Sequence, residues 1–469
     1  SDLDELVWSE ADERAARERM LRQVAAETGV SAKQAGTVAA LLDEGNTIPF
    51  IARYRKEMTG ELDENALRAI EERLQYLRGL EERKREVLRL IAEQGKLTAE
   101  LRASIEAAAK LQEVEDLYRP YRQKRKTRAS VAKEKGLEPL AEWMMSGPAS
   151  GSLLAEAAKY VDAEKGVATP EEAAQGAMDI VAETIADDPN IRAWVRRHTF
   201  QYAELVSEVK DEEADKERVY EMYYAYREPV KRIPPHRVLA INRGEKEGVL
   251  RVGVELDPAA IFMYIGKRYI APGSVVAEEM RAAAEDAYKR LIAPAVERDV
   301  RGELTEKAEE HAIVIFAENL RNLLLQPPVR GKVVLGVDPA YRTGCKLAVV
   351  DDTGKVLDIA VTYPTPPHNK TAEAERIFRG LIAKHGVDLI VIGNGTASRE
   401  TEQFVAGVIR RLADEGGKKL QYAIVSEAGA SVYSASKVAQ EEFPDFDVAE
   451  RSAVSIARRV QDPLAELVK

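Results

Sequence analysis

Asp338 and Glu427 are the side chains that this sequence surrounds most suggestively for chemistry. Asp338 closes the apolar run Val333-Val334-Leu335-Gly336-Val337, and Glu427 follows Tyr422-Ala423-Ile424-Val425-Ser426. An acid at the carboxyl end of a buried strand can take a divalent cation and, through it, a phosphate. Two-ion hydrolysis asks for more, about three or four carboxylates converging on Mg2+ ions ~4 Å apart. The run Asp388-Leu389-Ile390-Val391-Ile392 delivers no acid at its end, only Gly393-Asn394-Gly395-Thr396. Three outcomes fit these residues. One is a metal-dependent nuclease. Another is an ATPase of sugar-kinase or actin type, with Asp338 and the Thr343-Gly344 turn cradling phosphates but no second Asp-x-Gly loop. The third is a fold that has kept its shape and lost its reaction.

A second group of residues points to nucleic acid. From Tyr118 to Arg128 the chain carries Arg119, Tyr121, Arg122, Lys124, Arg125, Lys126 and Arg128 with no acid among them. Cations interleaved with tyrosine suit phosphate neutralisation and base stacking. The competing reading is a solvated connector that balances acidic helices around it. Arg53, Arg55 and Lys56, after Ile48-Pro49-Phe50-Ile51, form a smaller cluster, with structural arginines bridging helices as the alternative.

The elements that must position these residues change character near residue 325. Upstream, Leu67, Ile70, Leu74 and Leu77 recur at helical spacing, as do Val87, Leu90 and Ile91. Thr169-Pro170-Glu171-Glu172 is a helix start, and Asp63 and Thr305 are further candidate caps. Residues 1–230 therefore read as a helical array. Val238 to Ile241 and Val249 to Val254, separated by Arg243-Gly244-Glu245-Lys246-Glu247-Gly248, read as a small β-hairpin within a connector over 231–328. Val24 to Ser31 and Val131 to Leu137 each resemble a helix-turn-helix corner, a weak signal because any tight helix corner uses glycine this way. Over 329–460 the pattern is three strands joined by hairpins, the second turn being Asp352-Thr353-Gly354-Lys355, then helix, strand, helix, strand and further helices. That is the ribonuclease H-like order, with a five-stranded mixed sheet.

Composition sets the outer bounds. The 469 residues are 45% apolar and 32% charged, enough for two to four domains with cores. The formal charge of −11 argues mildly against a chain coated for nucleic acid but leaves room for a local basic patch. No apolar window reaches the roughly 18 residues of a membrane span, the first residues are acidic, and Cys345 is alone. A cytoplasmic protein without membrane contact is expected.

Several longer strings are similar to one family. Residues 44–57 (EGNTIPFIARYRKE), 160–167 (YVDAEKGV), 392–400 (IGNGTASRE), 426–434 (SEAGASVYS) and 455–467 (SIARRVQDPLAEL) resemble the bacterial Tex transcription accessory proteins, and the resemblance covers nearly the whole chain. It implies a helical N-terminal region with a helix-turn-helix element, then a YqgF-type ribonuclease H-like domain, in a scaffold shared with a eukaryotic elongation factor. Family members continue into helix-hairpin-helix repeats and an RNA-binding OB-fold, so residues 461–469 would begin a truncated C-terminal region. The resemblance also implies RNA or DNA and the transcription machinery as partners. In YqgF and the related RuvC resolvases Asp338 matches the first-strand aspartate, and Glu427 matches the YqgF acid after the fifth strand. Gly393-Asn394-Gly395 replaces the RuvC-type glutamate, and Arg451, before Ser452-Ala453, replaces the YqgF aspartate of the last helix. An arginine there would repel Mg2+. Asp447, Glu450 and Asp462 are the acids available to compensate. The expectation is a scaffold with vestigial Asp338 and Glu427, no catalytic residue, no metal and no cofactor, with Mg2+ required only by the nuclease alternative.

Overall fold

The computed structural model describes residues 8–123 and 125–469. The chain divides into two compact units, Ser1–Glu309 and Glu310–Lys469.

In the first unit, two apolar clusters organise the helices. One gathers Val24, Val38, Ile51, Leu67, Ile70, Leu74, Leu77, Val87 and Ile91, so the helical spacing of the long helix Glu64–Glu93 buries the stripe its sequence predicts. Asp63 caps that helix by accepting from the Ala66 amide at 2.8 Å. The other cluster forms around the helix Pro170–Asp187, whose Thr169 cap accepts from the Glu172 amide. Both corners of helix-turn-helix type exist as helix pairs. Glu10–Thr28 turns through Gly29, at φ +73°, into Ala32–Asp43 under a Ser31 cap, and Arg128–Glu134 turns through Gly136 into Glu138–Met145.

Three expectations for this unit need correction. Strands β1 (Glu204–Val209) and β2 (Ala225–Pro229) interrupt the helical array of residues 1–230. The segment Val238–Ile241 is helical, within Pro235–Lys246, and only Leu250–Glu255 is a strand, β3. β3 pairs antiparallel with β1, giving a three-stranded sheet of order β2-β1-β3 in place of the expected local hairpin. The reason is burial: Val238 and Ile241, three residues apart, reach the core together with Gly244, and Pro235 stands in the first turn. Thr305 caps nothing. It lies inside the continuous helix Ala293–Leu324, and its hydroxyl donates to the Arg301 carbonyl at 2.8 Å.

The second unit has the expected order. Strands β4 (Val334–Asp338), β5 (Cys345–Val350), β6 (Val356–Thr362), β7 (Leu389–Gly393) and β8 (Gln421–Val425) form one sheet in the order β6-β5-β4-β7-β8. β4 runs antiparallel to β5 and parallel to β7, which is parallel to β8. Asp351 closes the β5–β6 turn by accepting from the amides of Thr353 and Lys355. Alternate residues of β4 face opposite layers. Leu335 and Val337 pack with Phe378, Ile382, Val405 and Val408 of the helices Thr371–His385 and Ser398–Asp414, while Val334 packs with Val454, Ile456 and Ala457 of the helix Val448–Gln461. Burial on both faces is why β4, β5 and β7 read as unbroken apolar runs. Gly336 lets the helix Val448–Gln461 lie directly on β4: a Cβ there would come within 2.6 Å of the Ala457 Cβ and 2.8 Å of the Ala453 carbonyl oxygen.

Candidate functional site

β4 and β8 carry Asp338 and Glu427 to the same end of the sheet. The end of β7 between them is the loop Gly393 to Ala397, and Ala397 holds a left-handed φ of +64° that alanine seldom adopts. Asn394 ties this loop to β8: its amide donates to the Val425 carbonyl and its side-chain oxygen accepts from the Glu427 amide, both at 3.0 Å. The Glu427 carboxylate then folds back over the loop, lying against Gly393 and Gly395. A Cβ at Gly393 or Gly395 would overlap that carboxylate, so the two glycines form a cradle for it. The Glu427 Oε1 is buried without a hydrogen-bond partner.

Both acids hold their protons more tightly than usual. Burial pushes the Asp338 carboxyl up, against the opposing pull of the Ser452 hydroxyl and of Lys346, its cross-strand partner on β5. Burial also raises Glu427, and the negative charge of Asp338 adds to it, while the Gly395 amide and Arg459 act against it. Two close carboxylates that each resist ionisation are an arrangement that a cation would relieve.

The other residues weighed for this site point elsewhere. Arg451 is buried and turns away from the acids: Nε donates to the Phe443 carbonyl at 3.1 Å and Nη1 to the Ser434 carbonyl at 3.2 Å. Asp447 and Glu450 are engaged with each other's backbone in the capping box of the helix Val448–Gln461. Asp462 caps the helix Pro463–Leu467. Among the described residues no group of three or more His, Cys, Asp or Glu side chains is arranged to hold a metal ion. Asp338 and Glu427 are the two carboxylates the structure brings together at this end of the sheet.

Sequence reasoning missed two groups that complete this end of the sheet. Ser452 lowers the proton affinity of Asp338, and Arg459 bonds the Ser426 and Ala428 carbonyls at 2.7 Å each, pinning the segment that holds Glu427. Their signal was the period of the last helix, since Ser452, Ser455 and Arg459 recur at three- and four-residue spacing among its buried residues.

The basic run splits in the structure. Arg119 is half-buried 3.7 Å from Asp187, and burial lowers its pKa. Tyr121 is half-buried, and its carbonyl accepts from Gln94 at 2.6 Å. Arg122 pairs with Glu115 at 2.8 Å and lies over the buried Tyr118 ring, 5.7 Å from its centroid. Arg125, Lys126 and Arg128 are exposed and have no ion-pair partner among the described residues, whereas Lys124 lies outside the described residues. In the smaller cluster Arg53 and Lys56 are exposed, and Arg55 sits over Phe50, 5.0 Å from the ring centroid.

A mixed sheet of order β6-β5-β4-β7-β8 with helices on both faces and an acid at the end of β4 defines a ribonuclease H-like domain. Residues 332–461 match the Tex protein YqgF-like domain, residues 150–316 the Tex central region-like segment, and residues 18–92 the Tex-like protein N-terminal domain. The chain belongs to the Tex family. It is 57% identical over 450 residues to the uncharacterized protein YdcI of Bacillus subtilis, an overlap covering 96% of this chain and 62% of that protein. It is 44% identical over 465 residues to Protein tex of Bordetella pertussis, covering 96% and 58%. It is 36% identical over 467 residues to the human S1 RNA-binding domain-containing protein 1, covering 96% and 46%. The chain thus spans 58 to 62% of the length of these two bacterial relatives. Among the described residues no helix is long and apolar enough to cross a membrane.

Proposed function

We propose that the chain is a nucleic-acid-binding scaffold of the Tex type, working with the transcription machinery in the cytoplasm, and that its ribonuclease H-like site does not cut. The observation that carries this reading is how the nearby acids and Arg451 are used. Asp447, Glu450 and Asp462 cap helices, Asn394 fastens a loop, and Arg451 holds two backbone carbonyls. That leaves Asp338 and Glu427 to face each other with Ser452, Lys346 and Arg459 around them. RNA or DNA would be held by cations, with exposed Arg125, Lys126 and Arg128, together with Lys124, as the first candidates and Arg53 and Lys56 as a second group. The names of the relatives support the assignment, since one is Protein tex and another an S1 RNA-binding domain-containing protein.

The alternative is a Mg2+-dependent nuclease acting on structured nucleic acid, and one observation favours it: the charge of Asp338 raises the proton affinity of Glu427, as one metal ligand does to its neighbour when no cation is present. Incubation with branched and single-stranded substrates in Mg2+ and in Mn2+ separates the two. No cleavage is expected, and cleavage abolished by Asp338→Asn would overturn the scaffold reading.

A further inference from the structure

The helix Pro189–Tyr202 carries Trp194, His198 and Tyr202 at four-residue intervals, which places all three rings on one face. They stack. Trp194 and His198 lie 4.8 Å apart between centroids with 9° between planes, and His198 and Tyr202 lie 4.7 Å apart, tilted by 45°. Tyr264, from the helix Ala259–Tyr269, covers the other face of Trp194 at 4.2 Å and 3°. Two helices thus build one column of four rings.

The column runs out of the core. Trp194, His198 and Tyr264 are half-buried, and Tyr202 at its end is 65% exposed. Cations follow both ends along the chain, and two of them, Arg197 and Lys231, line one hollow with Phe200 and Gln201 of the same helix. Lys267 is one turn beyond Tyr264, and Arg197 is exposed on the helix of the column. Lys231 and Arg232 follow Val230, whose amide donates to the carbonyl of Ala203, the residue after Tyr202. None of these four cations has an ion-pair partner among the described residues. The acids nearest in sequence are already engaged, Asp188 by Arg268 and Tyr269, and Glu204 by Arg227 at 3.6 Å.

We propose that this column is a stacking platform for single-stranded nucleic acid, with a base adding to the open face of Tyr202 and Arg197, Lys231, Arg232 and Lys267 neutralising the backbone. Every base presents a π-face that extends such a column, and unpaired cations beside it match the phosphates. An acidic protein segment would use the cations without needing the rings. The inference rests on the nucleic-acid-binding reading above but places a contact outside the Tyr118–Arg128 run.

Fluorescence anisotropy of the 469-residue chain with a labelled single-stranded oligouridine tests it. Tyr202→Ala is expected to weaken binding about tenfold, and Tyr202→Phe, which keeps the ring, by less than about twofold. Tyr202 is exposed, so an unchanged circular dichroism spectrum is expected for both. Unchanged affinity in Tyr202→Ala, with affinity lost on charge reversal at Arg125 and Lys126, would overturn the platform and leave the binding reading standing. Failure of the unaltered chain to bind any oligonucleotide would overturn both.

Discussion

The Ser452 hydroxyl draws the pKa of the Asp338 carboxyl down, while Arg451, one residue earlier, points away to the Ser434 and Phe443 carbonyls. Neighbouring helical residues project about 100° apart. Arg451 therefore braces the helices Ala430–Ser434 and Lys437–Glu442, and Ser452 lies on the side of the aspartate.

Asp338 and Glu427 should titrate as a coupled pair. Burial comes first in raising Glu427 and the charge of Asp338 second, so Asp338→Asn is expected to bring Glu427 part of the way back toward its ordinary range. Carboxyl-carbon chemical shifts against pH read this directly. A carboxyl that holds its proton more tightly folded than unfolded supports the fold while protonated and loses that support as pH rises through its folded pKa. Asp338→Asn should therefore raise the melting temperature at neutral pH and lose the advantage at acid pH. An unmoved Glu427 titration would separate the two groups.

The glycine cradle predicts a pairwise dependence. Gly395→Ala is expected to cost about 1–3 kcal/mol through overlap with the Glu427 carboxylate. Glu427→Ala should remove most of that penalty, giving a coupling energy above about 0.5 kcal/mol in a double-mutant cycle followed by urea denaturation. Additive effects would contradict the packing described.

For the basic run, the division between engaged and free cations sets the expected ranking. Reversal of Lys124, Arg125 and Lys126 to Glu should weaken oligonucleotide binding and shallow the slope of log K against log salt by roughly 0.7–0.9 for each phosphate left without its cation. Reversal of Arg122, already paired with Glu115, should act mainly on stability. Equal loss of affinity from both sets would count against this ranking.

Asp188 predicts an acid limit for the first unit. Burial alone would raise its pKa, but bonds from Tyr269 at 2.7 Å, Arg268 at 2.9 Å and the Asn190 amide at 2.8 Å outweigh it and hold the carboxyl below its ordinary value of 3.8. A depressed folded pKa gives stability that is complete above the unfolded value and is lost as pH falls through the folded one. Asp188→Asn should cost about 1–3 kcal/mol at pH 7 and much less near pH 2, by thermal denaturation at the two pH values. A pH-independent cost would assign the effect to capping alone.

The second unit was legible because two-sided burial makes β4, β5 and β7 continuous apolar runs, and the turn at Asp351–Lys355 separates β5 from β6 cleanly. The first unit was less so. Val238-Leu239-Ala240-Ile241 is a short apolar run that strand and helix explain equally, and the burial of Val238 and Ile241 in the core decided it. β1 escaped notice because Leu205, Val206 and Ser207 sit between Glu204 and Glu208, and its partners β2 and β3 are distant in sequence. At the candidate site, Asp338 and Glu427 were visible as strand ends. The directions of Arg451 and Ser452 were not, because one residue of helix separates facing an acid from leaving it. The spacing Trp194, His198, Tyr202 was present in the sequence, but its partner Tyr264 comes from another helix and only the fold brings it near.

The cradle beneath Glu427 changes what an acid at this position means. Replacing it by a smaller side chain would open a void over Gly393 and Gly395, so shape alone can hold a glutamate there after any reaction has ceased. A glutamate at this strand end in other proteins of this architecture is therefore a poor diagnostic of hydrolysis unless further carboxylates surround it.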